Sequence, residues 1–259
     1  MADVQIESWA DLITEFNAAT EATTFSIAND IDCNDEYPTG ITTAAKCKNY
    51  GHIIEGNGHK IKNLFSNNNI TILSGYGTSK RVTINEVDFE NVYVTGSAKA
   101  FGNAVFQNCN ITASIFNTSL FTGKVTLREC GVKCEGSGDS SIFGISSDNF
   151  FMYNTNCELT GLYKSIYTYL QNTYIDGDIK QVGTSGAFSF GDGSYLSIIN
   201  AIVEMNEAPT ASNALALIYN TERFTLPSGS SFPATMLGLT TDDIESPSTL
   251  RSYSFPCRG

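Results

Sequence analysis

The chain has 259 residues and a formal net charge of −12. It is long enough to bury a substantial core and too acidic to favour nucleic acid or an anionic membrane surface as a partner. Aromatic and β-branched residues are plentiful, Asn is abundant and Pro scarce, which excludes a disordered chain and favours strands joined by polar turns.

Met1-Ala2-Asp3-Val4-Gln5 has neither the basic nor the apolar region of a signal peptide. No stretch approaches the ~18 apolar residues of a membrane span. Synthesis in a cytosol, without membrane insertion, is therefore expected. Ser8-Trp9-Ala10-Asp11 has a hydroxyl at a cap position and a carboxylate three residues on. Trp9, Leu12, Ile13 and Phe16 follow at the spacing of one apolar helical face, so a helix is predicted over 8–19. Thr24 to Ala28 alternates like a strand, and Asn29 to Glu36 reads as an acidic turn region. Its carboxylates lack the loop grammar of calcium sites, and Cys33, Cys47, His52 and His59 match no zinc spacing. No metal or cofactor is expected. Seven cysteines is an odd number, with no secretory context to favour pairing, and Cys109, Cys130 and Cys157 sit in strand-like segments where a reduced thiol is a small buried apolar group.

The segment Ile53 to Phe65 places Gly56-Asn57-Gly58 between two β-type runs, a turn that the positive-φ tolerance of Gly and Asn permits. From there Asn, or a substitute, recurs near strand ends at Asn63, Asn91, Asn108, Glu129, Asn156, Asn172, Asn200 and Asn220. The step is about 22 residues, within the range of stacked repeats. Phe101, Phe121, Phe143, Tyr167 and Phe188 form a second register in steps of about 20 to 24 residues. Strands stacked this way place like residues above one another, ~4.8 Å apart, and an Asn in a bend can then bond its counterparts along the stack. An antiparallel sandwich is the competing arrangement. The expected organisation is an N-terminal cap over 1–50, a strand stack over 51–226 and an irregular closing tail over 227–259. Ser246-Pro247 would start a short helical turn in that tail.

Tyr163, Tyr167, Tyr169 and Tyr174 cluster locally. With Tyr167 inward, Tyr163, Tyr169 and Tyr174 are the candidate glycan-binding residues, because flat faces with polar tips suit sugars; the alternative is that they only coat the stack. A hydrolase would need two carboxylates about 5 to 9 Å apart. Asp88, Glu90 and Glu129 are the candidates, but Gln107 and Arg128 at positions expected to match Glu90 suggest a solvated ladder. Arg81 and Arg128 are the mid-chain arginines and have no acidic partners at matching places. No catalytic residue is assigned.

The segment Gly56-Asn57-Gly58-His59-Lys60-Ile61-Lys62-Asn63-Leu64, Asn29-Asp30-Ile31-Asp32 before it and the repeat together resemble the pectin-lyase-like right-handed parallel β-helix family, in particular β-helical proteins of gut bacteria and their phages. The tail from Leu239 to Pro256 is similar to the closing segment of GLUG-type surface proteins, with Ser254 where that pattern has Gly. The resemblance implies an all-β right-handed parallel β-helix with an N-terminal capping helix and an irregular C-terminal cap. It further implies a non-enzymatic virion component of a bacteriophage: a fibre, spike or capsid decoration, located in the particle. Its partners would be other virion proteins or itself, as a homotrimer, and a host surface glycan. The alternatives are a polysaccharide depolymerase and a bacterial glycan-binding adhesin module.

Overall fold

The computed structural model describes residues 2–162 except 38, 68 and 144–148. Beyond these it describes the backbone of short strands between 167 and 225, the buried Ile179 side chain and Ser228. The described chain is all-β apart from the helix Trp9–Ala18 and the single turn Cys33–Glu36, and its strands pair in parallel. One long sheet runs from Ala2–Ile6 through Thr23–Ile27, Ile53–Glu55, Val82–Asn85, Lys99–Gln107, Ser119–Arg128 and Asn149–Tyr153 to Leu215–Ile218. A second sheet runs from Ile31–Asp32 through Lys60–Lys62, Asp88–Thr95, Asn110–Phe116, Gly131–Ser137 and Asn156–Thr160 to Phe224–Thr225. The chain alternates between the two, so each strand pairs with one a repeat away. A third run joins Ala45–Lys46, Thr71–Ser74, the leading ends of Lys99–Gln107 and Ser119–Arg128, and Ser141–Phe143.

The register explains the core. In the long sheet Val4, Phe25, Ile54, Ile84, Phe106, Leu127 and Met152 face one another in succession, and the register continues to Ile175, Ile198 and Ile218. In the second, Ile31, Ile61, Phe89, Ile111, Val132, Cys157 and Ile179 do the same, and all seven are buried. Strand alternation turns these columns inward and their neighbours outward. The two inner faces meet directly: Phe89 of the second sheet lies 4.9 Å from Phe101, centroid to centroid, and Phe101 lies 5.1 Å from Phe106. Phe101, Phe121 and Phe143 stand in register as their spacing predicts, whereas Tyr167 pairs with Ser189 and not with Phe188.

Corners between the sheets need a left-handed residue. Asn57, Glu86, Asn108, Glu129 and Asn154 all have φ between 46° and 54°. The amides of Glu86, Asn108 and Glu129 donate to Gln107, Arg128 and Tyr153 carbonyls one strand on. In the Gly-Asn-Gly turn, Gly58 has φ +78°, while a Cβ on Gly56 would lie 2.1 Å from the Glu86 carbonyl oxygen. Gly56 therefore serves close approach and Gly58 serves backbone conformation. The Asn series of the sequence divides into distinct places. Asn108 and Glu129 belong to this corner, Asn63 and Asn91 to a second left-handed bend, and Asn156 and Asn172 begin strands. Asn200 and Asn220 lie outside the described residues. Side-chain bonding between counterparts occurs at the second bend: Asn91 Nδ2 donates to Asn63 Oδ1 (2.6 Å), and Asn63 Nδ2 to Asp32 Oδ1 (2.7 Å).

The helix matches its pattern. Ser8 Oγ accepts from the Asp11 amide at 3.0 Å, and Trp9, Leu12, Ile13 and Phe16 are buried. Asn17 binds the edge strand Ala45–Lys46 as a neighbouring strand would, accepting from the Lys46 amide (3.0 Å) and donating to the Ala44 carbonyl (3.1 Å). Ala2–Ile6 and Thr23–Ile27, the first strands of the expected cap, pair into the long sheet. The expected acidic turn contains the helical turn Cys33–Glu36, capped by the Asp32 carboxylate. The tail 229–259 lies outside the described residues.

Backbone conformation, and not the amide side chain, is the requirement at Asn108. Asn108→Gly is expected to change unfolding free energy by a few tenths of a kcal/mol, and Asn108→Val to cost about 1–2 kcal/mol. Urea denaturation of both variants checks this; equal losses would refute it.

Candidate functional site

The outer face of the second sheet gathers the most chemistry among the described residues. Asp88 and Glu90 flank the inward Phe89. The register then shifts between Phe89 and Val92, with Asn91 at φ 57°, and the outward positions become Tyr93 and Thr95. Two neighbouring zones result.

The first zone is charged. Lys60 faces Asp88 across the sheet, and Lys62 faces both Asp32 and Glu90. Lys60 Nζ reaches Glu90 Oε1 at 2.5 Å, a bond that raises the Lys60 pKa. Asp30 Oδ1 accepts from the Lys60 amide at 3.0 Å and lies 3.3 Å from His59 Nδ1. The Lys60 amide is the main cause of the lowered Asp30 pKa, with His59 and Lys62 adding to it.

The second zone is aromatic. The rings of Phe65 and Tyr93 stack at 5.3 Å and 28°. Phe116, in register with Thr95, is 43% exposed, and Tyr93 is 38% exposed. Flat apolar faces beside carboxylates, amines and Asn side chains can stack a sugar ring and bond its hydroxyls.

Asp88 and Glu90 share the charged zone around Lys60, but Glu129 does not join them. Asp88 Oδ1 accepts from Asn110 Nδ2 at 2.8 Å, Glu90 is tied to Lys60, and Glu129 occupies a corner two strands further on. Gln107 and Arg128 do share a register, but with Asn85 in the other sheet and not with Glu90. Tyr163 and Tyr169 lie outside the described residues. Tyr174 is placed by its backbone alone, in the strand Asn172–Asp176 opposite Phe151. Sequence reasoning passed over Phe65, Tyr93 and Phe116. The alternation Val92-Tyr93-Val94-Thr95 is the signal that could have turned Tyr93 outward.

Among the described residues no group of three or more His, Cys, Asp and Glu side chains could hold a metal ion, and no helix is long and apolar enough to cross a membrane. Cys33, Cys47, Cys109, Cys130, Cys134 and Cys157 are buried. Burial pushes the Cys47 thiol up to about 11 and the Cys134 thiol up to about 12. A hydrogen bond shared with Cys130 holds the Cys109 thiol protonated. No protein-family model matches the chain, and no curated protein shows significant similarity to it.

The two histidines differ in kind. His59 is half-exposed beside Asp30, whereas His52 is 1% exposed, with its ring 4.7 Å from Phe16 and 5.4 Å from Phe25. His52 Nδ1 accepts from the Thr23 amide at 3.3 Å, so the neutral ring carries its proton on Nε2. Burial lowers the His52 pKa. Between the folded and unfolded pKa values the unfolded chain binds more protons at His52. Its contribution to stability is therefore complete above about pH 6.5 and is lost as pH falls through the folded value. The melting temperature is expected to drop between pH 7 and 5.5, with a clearly smaller slope in His52→Gln. Parallel slopes in thermal melts of the two proteins would exclude His52 as the cause.

Proposed function

We propose that the chain is a right-handed parallel β-helix serving as a non-enzymatic structural component of a bacteriophage particle, with the Phe65–Tyr93–Phe116 face contacting a host surface glycan. The helix Trp9–Ala18 would close its first end and the tail its last. The observation that carries this reading is the pair of unbroken apolar columns, Val4 to Met152 and Ile31 to Ile179, each advancing by one parallel strand per repeat. Such a body is stiff because every repeat is bonded to both neighbours along its length. Ten strands on the main path of the long sheet, ~4.8 Å apart, give a length of about 43 Å. Particle surfaces use stiff, elongated parts of this kind, alone or as trimers, to present side-chain ladders to a cell.

Mass spectrometry of purified phage particles from gut bacteria carrying this gene is expected to find the chain among the structural proteins. Its absence from such particles, or turnover of host capsular glycan by the purified protein, would overturn the role.

The contact face has its own test. Tyr93→Ala combined with Phe116→Ala is expected to weaken binding to host capsular glycan about tenfold while leaving the far-ultraviolet circular dichroism unchanged. Equal binding by the double variant in calorimetry would remove this face from the proposal.

A further inference from the structure

The outer face of the long sheet carries a feature that the glycan-contact face does not use. Lys124, Thr126 and Arg128 alternate outward along the strand Ser119–Arg128, ~6.8 Å apart. Arg81, just before the strand Val82–Asn85, reaches across the face and donates from Nη1 to Thr126 Oγ1 at 2.8 Å. The next strand supplies two rings beneath the cations. Arg128 lies over Tyr153 with Cζ 5.1 Å from the ring centroid, and Lys124 lies over Phe151 with Nζ at 6.0 Å.

Three cations thus converge on one stretch of a chain whose net charge is −12. None of them is in an ion pair among the described residues; the four pairs present involve His59, Lys60, Lys62 and Lys133. Arg81 also meets repulsion. Its charged form is disfavoured first by burial and next by the charge of Arg128. Bringing two guanidinium groups together without a carboxylate costs free energy that an anion between them would recover. Tyr153 supports Arg128 and Phe151 supports Lys124, and a guanidinium carries more N–H donors than the one Arg81 uses on Thr126.

We propose that Arg81 and Arg128, with Lys124 at the margin, form a binding site for an oxyanion, a phosphate, sulfate or carboxylate group, on the outer face of the long sheet. The planar fork of each guanidinium suits two oxygens of such a group, and a halide cannot span both. The site is independent of the aromatic face on the second sheet and of the role proposed for the whole chain. The anion can arrive free in solution or displayed on a polymer.

Thermal melts of the full chain in inorganic phosphate, against sodium chloride at matched ionic strength, test the site. Phosphate is expected to raise the melting temperature saturably by about 2–5 °C. Arg128→Gln and Arg81→Gln are expected to abolish the increment, and Lys133→Gln, outside the site, to retain it. No increment in the parent protein, or an equal one in Arg128→Gln, would overturn the site. Because Arg81→Gln also loses the Thr126 bond, Arg128→Gln is the decisive variant. Dextran sulfate, compared with neutral dextran and inorganic sulfate, identifies the source. Binding at least tenfold tighter than sulfate and lost in Arg128→Gln assigns the site to a polymer-borne group, and equal affinity per group assigns it to a free anion.

Discussion

Parallel pairing in register sets each residue beside its own counterpart in the adjacent repeat, and that repetition constrains everything else. A residue that faces inward once must be followed by residues that face inward at each step. This is why Val4, Phe25, Ile54, Ile84, Phe106, Leu127 and Met152 are all apolar. Shifting one strand by a single residue would turn its apolar set to solvent. The corners hold the register, because a left-handed residue at Glu86, Asn108, Glu129 and Asn154 returns the chain at the same place each time. Amide-to-carbonyl bonds from one corner to the next strand's end keep successive corners aligned.

Repetition acts on the outer faces as well, where it creates either complementarity or conflict. Lys133 and Glu158 pair at 3.1 Å, and Lys180 and Glu204 continue that register in alternating sign. Asp32, Lys62 and Glu90 alternate likewise, and Asp32, Asn63 and Asn91 form a run of side-chain bonds beside them. The long sheet departs from this habit at Arg81 and Arg128, where like charges come near each other and Arg128 lies over the Tyr153 ring.

Much of this was legible from residues alone. The helix follows from Trp9, Leu12, Ile13 and Phe16, since a single period and a hydroxyl cap define it locally. Phe101 and Phe121 announced the repeat because large buried rings tolerate little displacement along a stack. The Asn series was harder. Asn is used here for a left-handed corner at Asn108, for a side-chain ladder at Asn63 and for a strand start at Asn156, and sequence does not separate those uses. Glu86 and Glu129 show that the corner selects a conformation more than a residue type. The exposed aromatic face was hidden for a related reason. The register shift after Phe89 changes which residues point outward, so the partner of Phe65 could not be identified without the strand pairing.

Asn17 has a consequence beyond the bonds it makes. A parallel stack has no internal reason to stop, since each added strand offers the next one the same row of donors and acceptors. At the edge strand Ala45–Lys46 the Asn17 amide takes up a donor and an acceptor that another polypeptide would otherwise seek. It works as a terminator for that run: a further strand cannot pair there without displacing the Asn17 side chain.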